Sequence, residues 1–349
     1  MVLDATQGNL FVAPDALVEQ KFREKEELRL RALQVRDSLL DQTHTRDGSR
    51  VHLLANINLL ADLEVARSYK AEGVGLYRSE FPFMIRNDFP SEEEQLRVYR
   101  RLVEGMRGLE TTFRTLDMGG DKMLSYFDYG AQSNPFLGLR SIRFSLRHRD
   151  VFVQQLRAIL RAAWDTEIRI MFPMISSVDE FTSAASAVAE CQAALAAEKL
   201  PFCQHAHIGM MLELPSVLEL MPALCAQAEF FSIGTNDFIQ YMLAVDRTNE
   251  TVANLYLPHH PAVLRGLARA VEAPLRLGRD VSVCGDMAHE PRFVPFLLGI
   301  GIRKFSLDAR YLPRIQETIA GVDLAEARDF AARLLRETTV AGTAGILGF

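Results

Sequence analysis

Along this chain, short apolar runs rich in β-favouring residues alternate with longer stretches of mixed polarity. The runs are Val51–Ile57, Gly73–Ser79, Thr111–Asp117, Ile168–Met174, Ile208–Leu214, Phe230–Asn236, Val281–Met287 and Lys304–Asp308. Continuous apolar runs of this length mark strands buried on both faces, as in parallel sheets. Eight of them, separated by helical stretches over about 260 residues, predict an α/β fold, specifically a (β/α)8 TIM barrel. The competing architecture is an open doubly wound sheet. It is disfavoured because no G-x-G-x-x-G opens a helix after the first run. No repeat of 20–50 residues is present.

Upstream of the runs, Gly8–Val12 reads as a short strand. From about Ala16 to Gln42 the chain is rich in Leu, Arg, Glu and Lys, good helix formers. The apolar positions there (Phe22, Leu28, Leu33, Leu39, Leu40) are sparse. This predicts a mostly solvated helical arm, with a helix docked on the barrel as the alternative. Thr43–Arg50 reads as a turn. Downstream, Ala325–Leu335 reads as a helix, and Ala341–Phe349, small and glycine-rich, as a tail that frays. The expected division is an arm over 1–45, a barrel over 46–320, and a helix and tail over 321–349.

Composition narrows the class. The 349 residues are 48% apolar and 24% charged, ordinary for a globular protein. The net charge of -6 lacks the basic footprint of a nucleic-acid partner. No apolar run reaches the ~18 residues of a membrane span, and Met1-Val2-Leu3-Asp4 does not open a secretory signal. Cys191, Cys203, Cys225 and Cys284 show no metal-ligand spacing and read as reduced thiols of a cytoplasmic protein.

Most runs end in polar or reactive residues, and in a barrel the C-terminal strand ends converge on one face. The cations are Arg78, Arg114, Lys122, Arg140 and Arg247. One arginine at a strand end is usually a salt-bridge partner. Five in this arrangement call for a compact polyanion, because the guanidinium fork matches phosphate and carboxylate oxygens. Glu213 and Asp237 offer hard oxygen ligands suited to Mg²⁺, which takes one or two carboxylates plus substrate oxygens. Gly119-Gly120-Asp121-Lys122 after Asp117 reads as a turn that aims Lys122 at the site. Asn236 adds an amide. Cys284 precedes Gly285 at a strand end. An unperturbed thiol is protonated near neutrality, so it can serve as a proton donor. Cys191, Cys203 and Cys225 read as structural, and Met171, Met174, Met210 and Met211 as barrel packing. His259, His260 and His289 read as polar loop residues. The expected ligand is a small phosphorylated acid.

Taken together, these segments resemble the phosphoenolpyruvate (PEP)-binding barrel of enzyme I of the bacterial phosphotransferase system. The matching stretches are Gly75-Leu76-Tyr77-Arg78-Ser79-Glu80-Phe81, Arg114 through Lys122, Asn134 through Arg140, Gly234-Thr235-Asn236-Asp237, Leu243-Ala244-Val245-Asp246-Arg247 and Cys284-Gly285. They occur in the family's order over about residues 50–315. Pyruvate phosphate dikinase and PEP synthase have related barrels and provide the nearest alternative. Tyr77, Pro82 and the tail beyond Ile315 resemble the nitrogen-regulatory branch.

The resemblance implies that Arg78, Arg114, Lys122, Arg140 and Arg247 hold phosphate and carboxylate. It implies that Glu213 and Asp237 bind Mg²⁺, that Asn236 contacts substrate, and that Cys284 protonates the enolate as pyruvate forms. It also implies a homodimer and an HPr-like phosphocarrier downstream. Two positions depart from the family: Asp286 stands where a Glu is usual, and His289 where a Gly is usual. The family's phosphohistidine domain, marked by a Gly-rich segment ending Ser-His, has no counterpart here. Residues 3–14 resemble its closing strand and 15–42 the connecting helix, so the chain is expected to be an isolated C-terminal portion. Two readings of other classes are a non-catalytic module binding PEP or 2-oxoglutarate, and a carbon–carbon lyase on a similar Mg²⁺ barrel.

Overall fold

The computed structural model describes residues 2–4, 9–11, 39–120, 122, 124–128, 130 and 133–349. The expected arm helix lies almost wholly outside the described residues, as does Asp121. Contacts divide the chain into two compact units, Met1–Asp41 and Gln42–Phe349. In the first, β1 (Val2–Asp4) pairs antiparallel with β2 (Asn9–Phe11), where the short strand was expected. In the second, the stretch read as a turn contains a strand. β3 (Thr43–His44) pairs antiparallel with the start of β4 (Arg50–Ile57). Thr45 folds the intervening turn through a 2.6 Å hydrogen bond to Asp47 and by accepting the Gly48 N–H on its carbonyl.

The barrel is made of β4, β5 (Gly73–Arg78), β6 (Glu110–Arg114), β7 (Ile168–Phe172), β8 (Ala206–Leu212), β9 (Phe230–Gly234), β10 (Asp280–Cys284) and β11 (Lys304–Asp308). Each is parallel to the next, and β11 closes on β4 with Lys304 opposite His52 and Asp308 opposite Asn56. All eight expected runs are strands of one closed barrel. Several strands end earlier than the apolar runs did. Ser79, Thr115–Asp117, Met174 and Leu214 lie beyond the ladder, because the chain leaves it there to enter the loops at the C-terminal mouth.

The helices between strands are α1 (Asp62–Ser68), α2 (Phe81–Met84), α3 (Glu92–Gly105), α4 (Ser141–Arg147), α5 (Arg149–Ala162), α6 (Val178–Ala197), α7 (Met221–Gln227), α8 (Thr235–Leu243), α9 (Pro261–Arg276) and α10 (Val294–Gly299); α11 (Leu312–Ala320) follows β11. Their starts are written in capping residues. Ser91 and Glu94 form a reciprocal capping box on α3, and Ser177 caps α6. One apolar cluster fills the space between strands and helices, with Phe113, Phe152, Phe172 and Phe181 fully enclosed. Met171, Met174, Met210 and Met211 are buried, as the pattern required.

Two further helices end the chain: α12 (Leu324–Arg336), capped by Asp323, and α13 (Val340–Leu347), capped by Thr339. The second corrects the expectation of a fraying tail. Thr343 and Leu347 are buried, and this burial holds a segment whose small residues carry little helical signal of their own. No helix among the described residues is long and apolar enough to cross a membrane.

The two ends of the barrel differ in charge balance. At the N-terminal end Arg169 pairs with Glu110 at 2.9 Å and with Asp280, while Lys304 reaches Glu110 at 2.8 Å and Asp280 at 2.6 Å. Two cations meet two carboxylates, and the floor is neutral. Close packing also explains a glycine. A Cβ on Gly75 would lie 2.4 Å from the Ser306 oxygen and 2.9 Å from Leu54 Cβ. Gly75→Ala should therefore lower stability by roughly 1–3 kcal/mol through overpacking, read as a lower urea midpoint with an unchanged slope.

Candidate functional site

At the C-terminal mouth, the nine residues expected from sequence line one cleft of about 300 Å³. The local structure explains how each arrives. Arg78, Arg114 and Cys284 are the last residues of β5, β6 and β10. Glu213 directly follows β8, and Arg140 sits at the N-cap of α4. Asn236 and Asp237 lie in the first turn of α8, immediately after β9. Lys122 returns on a tight turn in which Gly119 and Lys122 exchange backbone hydrogen bonds.

Two acids that sequence reasoning left without a role, Glu80 and Asp117, organise the cations. Glu80 accepts from Arg114 at 2.6 Å and Lys122 at 2.7 Å. Asp117 lies 3.1 Å from both Arg114 and Lys122 and 3.3 Å from Arg140, and it accepts the Ser141 hydroxyl. Both acids are buried, which opposes their charge, yet the surrounding cations hold Glu80 below and Asp117 well below the usual carboxylate range. The signal that could have identified them was present: both are acids at the ends of strands that also carry cations.

Arg140 also reaches Asp237 at 3.2 Å and donates to the Tyr241 hydroxyl at 2.9 Å. Asp237 and Tyr241 are one turn apart on α8, so the helix grips the guanidinium at two points. Arg247 approaches Asp237 Oδ1 only loosely, at 3.4 Å, and that oxygen is buried without a hydrogen bond. Arg78 makes no ion pair among the described residues, and its Nε is buried without an acceptor. Five cations thus face three buried carboxylates and the exposed Asp286, a surplus of positive charge while Glu213 is protonated.

Glu213 holds its proton by environment. Burial pushes its carboxyl up to about 8, helped by the negative charges of Asp237 and Asp117. Its Oε2 accepts the Met174 N–H at 2.7 Å, which Met174 presents from a left-handed backbone, φ 57°. Ser141, φ 51°, is likewise strained beside Arg140. Such strain persists only where packing over-determines it. Among the described residues no group of three or more metal-ligating side chains occurs. The pair of Glu213 and the unspent Asp237 Oδ1 nevertheless fits a hard dication that takes its other ligands from substrate and water, as Mg²⁺ does.

Cys284 lies on an apolar layer of Leu76, Met171, Met211 and Phe230. Burial pushes its thiol up to about 11, so it stays protonated across the neutral range. Cys191, Cys203 and Cys225 are buried and unpaired in helix and loop packing. Gly285 follows with φ 90°, and a Cβ there would lie 2.3 Å from Thr235 Oγ1. Only glycine fits this turn. Asn236 Oδ1 accepts the Asp286 N–H at 2.8 Å, tying the two loops together. Its amide NH₂ has no protein acceptor among the described residues, which leaves it able to donate into the cleft. Among the described residues no histidine lines the cleft. His260 Nδ1 accepts the Ala262 N–H at the start of α9, and His289 stacks on Tyr311 at 4.3 Å.

Residues 33–324 match the family described as PEP-utilising enzyme, PEP-binding domain. The chain is 38% identical over 340 residues to the phosphoenolpyruvate-protein phosphotransferase of Staphylococcus carnosus, covering 97% of this chain and 59% of that protein. It is 39% identical over 348 residues to the protein of the same name from Haemophilus influenzae, covering 98% and 60%. It therefore spans about three fifths of the length of these relatives. Among solved structures, a citrate lyase from Burkholderia xenovorans superposes with a TM-score of 0.50 at 14% identity, covering 85% of this chain and 90% of that one. That likeness concerns the barrel alone.

The Glu213 carboxyl generates a prediction. In the unfolded chain it releases its proton near 4.5, in the folded protein near 8. Between these values folding takes up a proton, so stability falls as pH rises. Glu213→Gln removes that loss. Without ligand or divalent metal, the Tm difference (variant minus wild type) should be near zero at pH 4.5, grow through the interval and level off above pH 8. A pH-independent difference in thermal unfolding would contradict the burial of an ionisable carboxyl here.

Proposed function

The chain belongs to the PEP-utilising enzymes through their PEP-binding domain, and from that premise we propose that it is the catalytic, PEP-binding portion of a phosphoenolpyruvate-protein phosphotransferase. The observation that carries the reading is the unbalanced mouth: fixed cations in excess, two carboxylates with unspent capacity and a protonated thiol around one cleft. PEP is a small polyanion with a phosphate and a carboxylate, and its reaction leaves an enolate that needs a proton.

Arg78 is the first binding group, since its guanidinium gives up no ion-pair partner among the described residues on meeting substrate. Arg114, Lys122 and Arg140 are held in position by Glu80 and Asp117, so their charge is in place before the reaction and costs no reorganisation. Together with Arg247 they neutralise phosphoryl oxygens in a loose transition state. Asn236 donates from its amide to substrate oxygen. Glu213 and Asp237 would hold Mg²⁺, which supplies charge neutralisation to phosphate and carboxylate oxygens. The acceptor is a histidine of a domain outside these residues. After transfer, Cys284 gives its proton to the enolate carbon and pyruvate leaves. The same reading includes a homodimer, an HPr-like phosphocarrier as the next acceptor, a cytoplasmic setting and the nitrogen-regulatory branch.

Calorimetry with PEP, with and without Mg²⁺, tests the site. Arg78→Ala breaks no ion pair among the described residues and should weaken PEP binding by roughly 10–100-fold, the equivalent of a charged hydrogen bond at ~1.5–3 kcal/mol. Arg114→Ala should weaken it at least as much. With the histidine-bearing domain supplied, Cys284→Ala should bind PEP normally yet fail to release pyruvate. Undiminished pyruvate release would remove the thiol from the mechanism. PEP and Mg²⁺ mixed with this chain alone should give binding without pyruvate. A domain-independent cleavage of a 2-keto substrate would instead favour the lyase reading.

A further inference from the structure

We infer that Ser232 is a positioning residue for proton delivery, its hydroxyl donating the hydrogen bond that holds the Cys284 sulfur as a thiolate once the S–H proton has passed to the enolate. The inference rests on the role proposed above for Cys284. Ser232 is on β9, opposite Ser282 in the register that places Cys284 opposite Gly234. It is buried inside the barrel, and its Oγ donates to Cys284 Sγ at 3.5 Å. The other polar atom on the sulfur is the Ile233 carbonyl, which accepts the S–H at 3.4 Å. The side chains clustered around it are apolar.

This arrangement has a consequence for the charged form. When the S–H bond breaks and a C–H bond forms at the enolate carbon, sulfur keeps the electron pair. The Ile233 carbonyl then has no proton to accept and presents its oxygen to a negative charge. Among the described residues Ser232 is the one hydrogen-bond donor in place on that sulfur. Hydrogen bonds to charged groups are the strong ones, and they favour the form they bind. The charged groups of the surrounding strands act in both directions: Arg114 of β6 and Arg78 of β5 favour the thiolate, and Glu213 after β8 opposes it. Ser232 does not line the cleft, so its effect on substrate is indirect.

The reverse of the proton transfer can be followed on this chain without the histidine domain. The Cys284 thiolate removes a methyl proton from pyruvate, sulfur exchanges with solvent, and deuterium returns to carbon. Proton NMR of pyruvate with Mg²⁺ in D₂O reads the exchange. A pH-jump ultraviolet titration, taken as the difference from Cys284→Ala, reads the thiolate directly. Ser232→Ala should move the rising limb of both profiles up by roughly one pH unit, the equivalent of one hydrogen bond to a charged group. PEP affinity should be unchanged. Ser232→Thr and Ser232→Val, alike in shape and differing in the hydroxyl, should separate in the same way, with Thr near wild type and Val shifted. Coincident Thr and Val profiles, with exchange still abolished by Cys284→Ala, would overturn the role of Ser232 alone. Exchange that persists in Cys284→Ala, or never occurs in the wild type, would overturn the reading of Cys284 itself.

Discussion

The structure turns on the uneven pairing of the cations gathered at the mouth of the barrel with its buried carboxylates. Charges held out of water are costly unless paired. At the floor of the barrel the pairing is complete: Arg169 and Lys304 share Glu110 and Asp280. At the mouth it is not. Glu80 and Asp117 hold Arg114, Lys122 and Arg140 in place, while Arg78 is left without an ion pair among the described residues. The fold thus presents one end whose ions are paired with one another and one whose cations are paired unevenly.

The same burial keeps two acidic groups neutral. Desolvation raises both the Glu213 carboxyl and the Cys284 thiol. For Glu213 the consequence is a carboxyl that keeps its proton up to about pH 8. For Cys284 it is a thiol that stays protonated across the neutral range. Two proton-bearing groups in one cleft are separated in role by their neighbours: carboxylate and backbone around Glu213, thioethers and a serine hydroxyl around Cys284.

The two departures from the family pattern are absorbed by backbone and stacking. The loop after Cys284 is tied down through the Asp286 N–H to Asn236 rather than through the shortened side chain. The imidazole of His289 lies flat on Tyr311 at 4.3 Å instead of filling the cleft. Among the described residues, three of the five non-glycine residues with positive φ, Ser141, Met174 and Ala244, flank the cleft: beside Arg140, on Glu213 and at the end of α8. Strain gathered there marks where the chain gives up local comfort for geometry.

The eight strands were legible because a strand buried on both faces is largely apolar along its length, and eight such runs recur between helical stretches. The residues of the candidate site were legible as neighbours because a barrel brings its strand ends together whatever their separation in sequence. The partnerships at the mouth were not. That Glu80 and Asp117 hold the cations, that Glu213 keeps its proton and that Ser232 meets the thiol all depend on distances of a few ångströms between residues up to about a hundred positions apart. Likewise α13 forms from a segment that looked unstructured, because Thr343 and Leu347 find a surface to bury against. Sequence patterning reports which side of a chain avoids water; which charge faces which, and in what dielectric, exists only after the chain has closed.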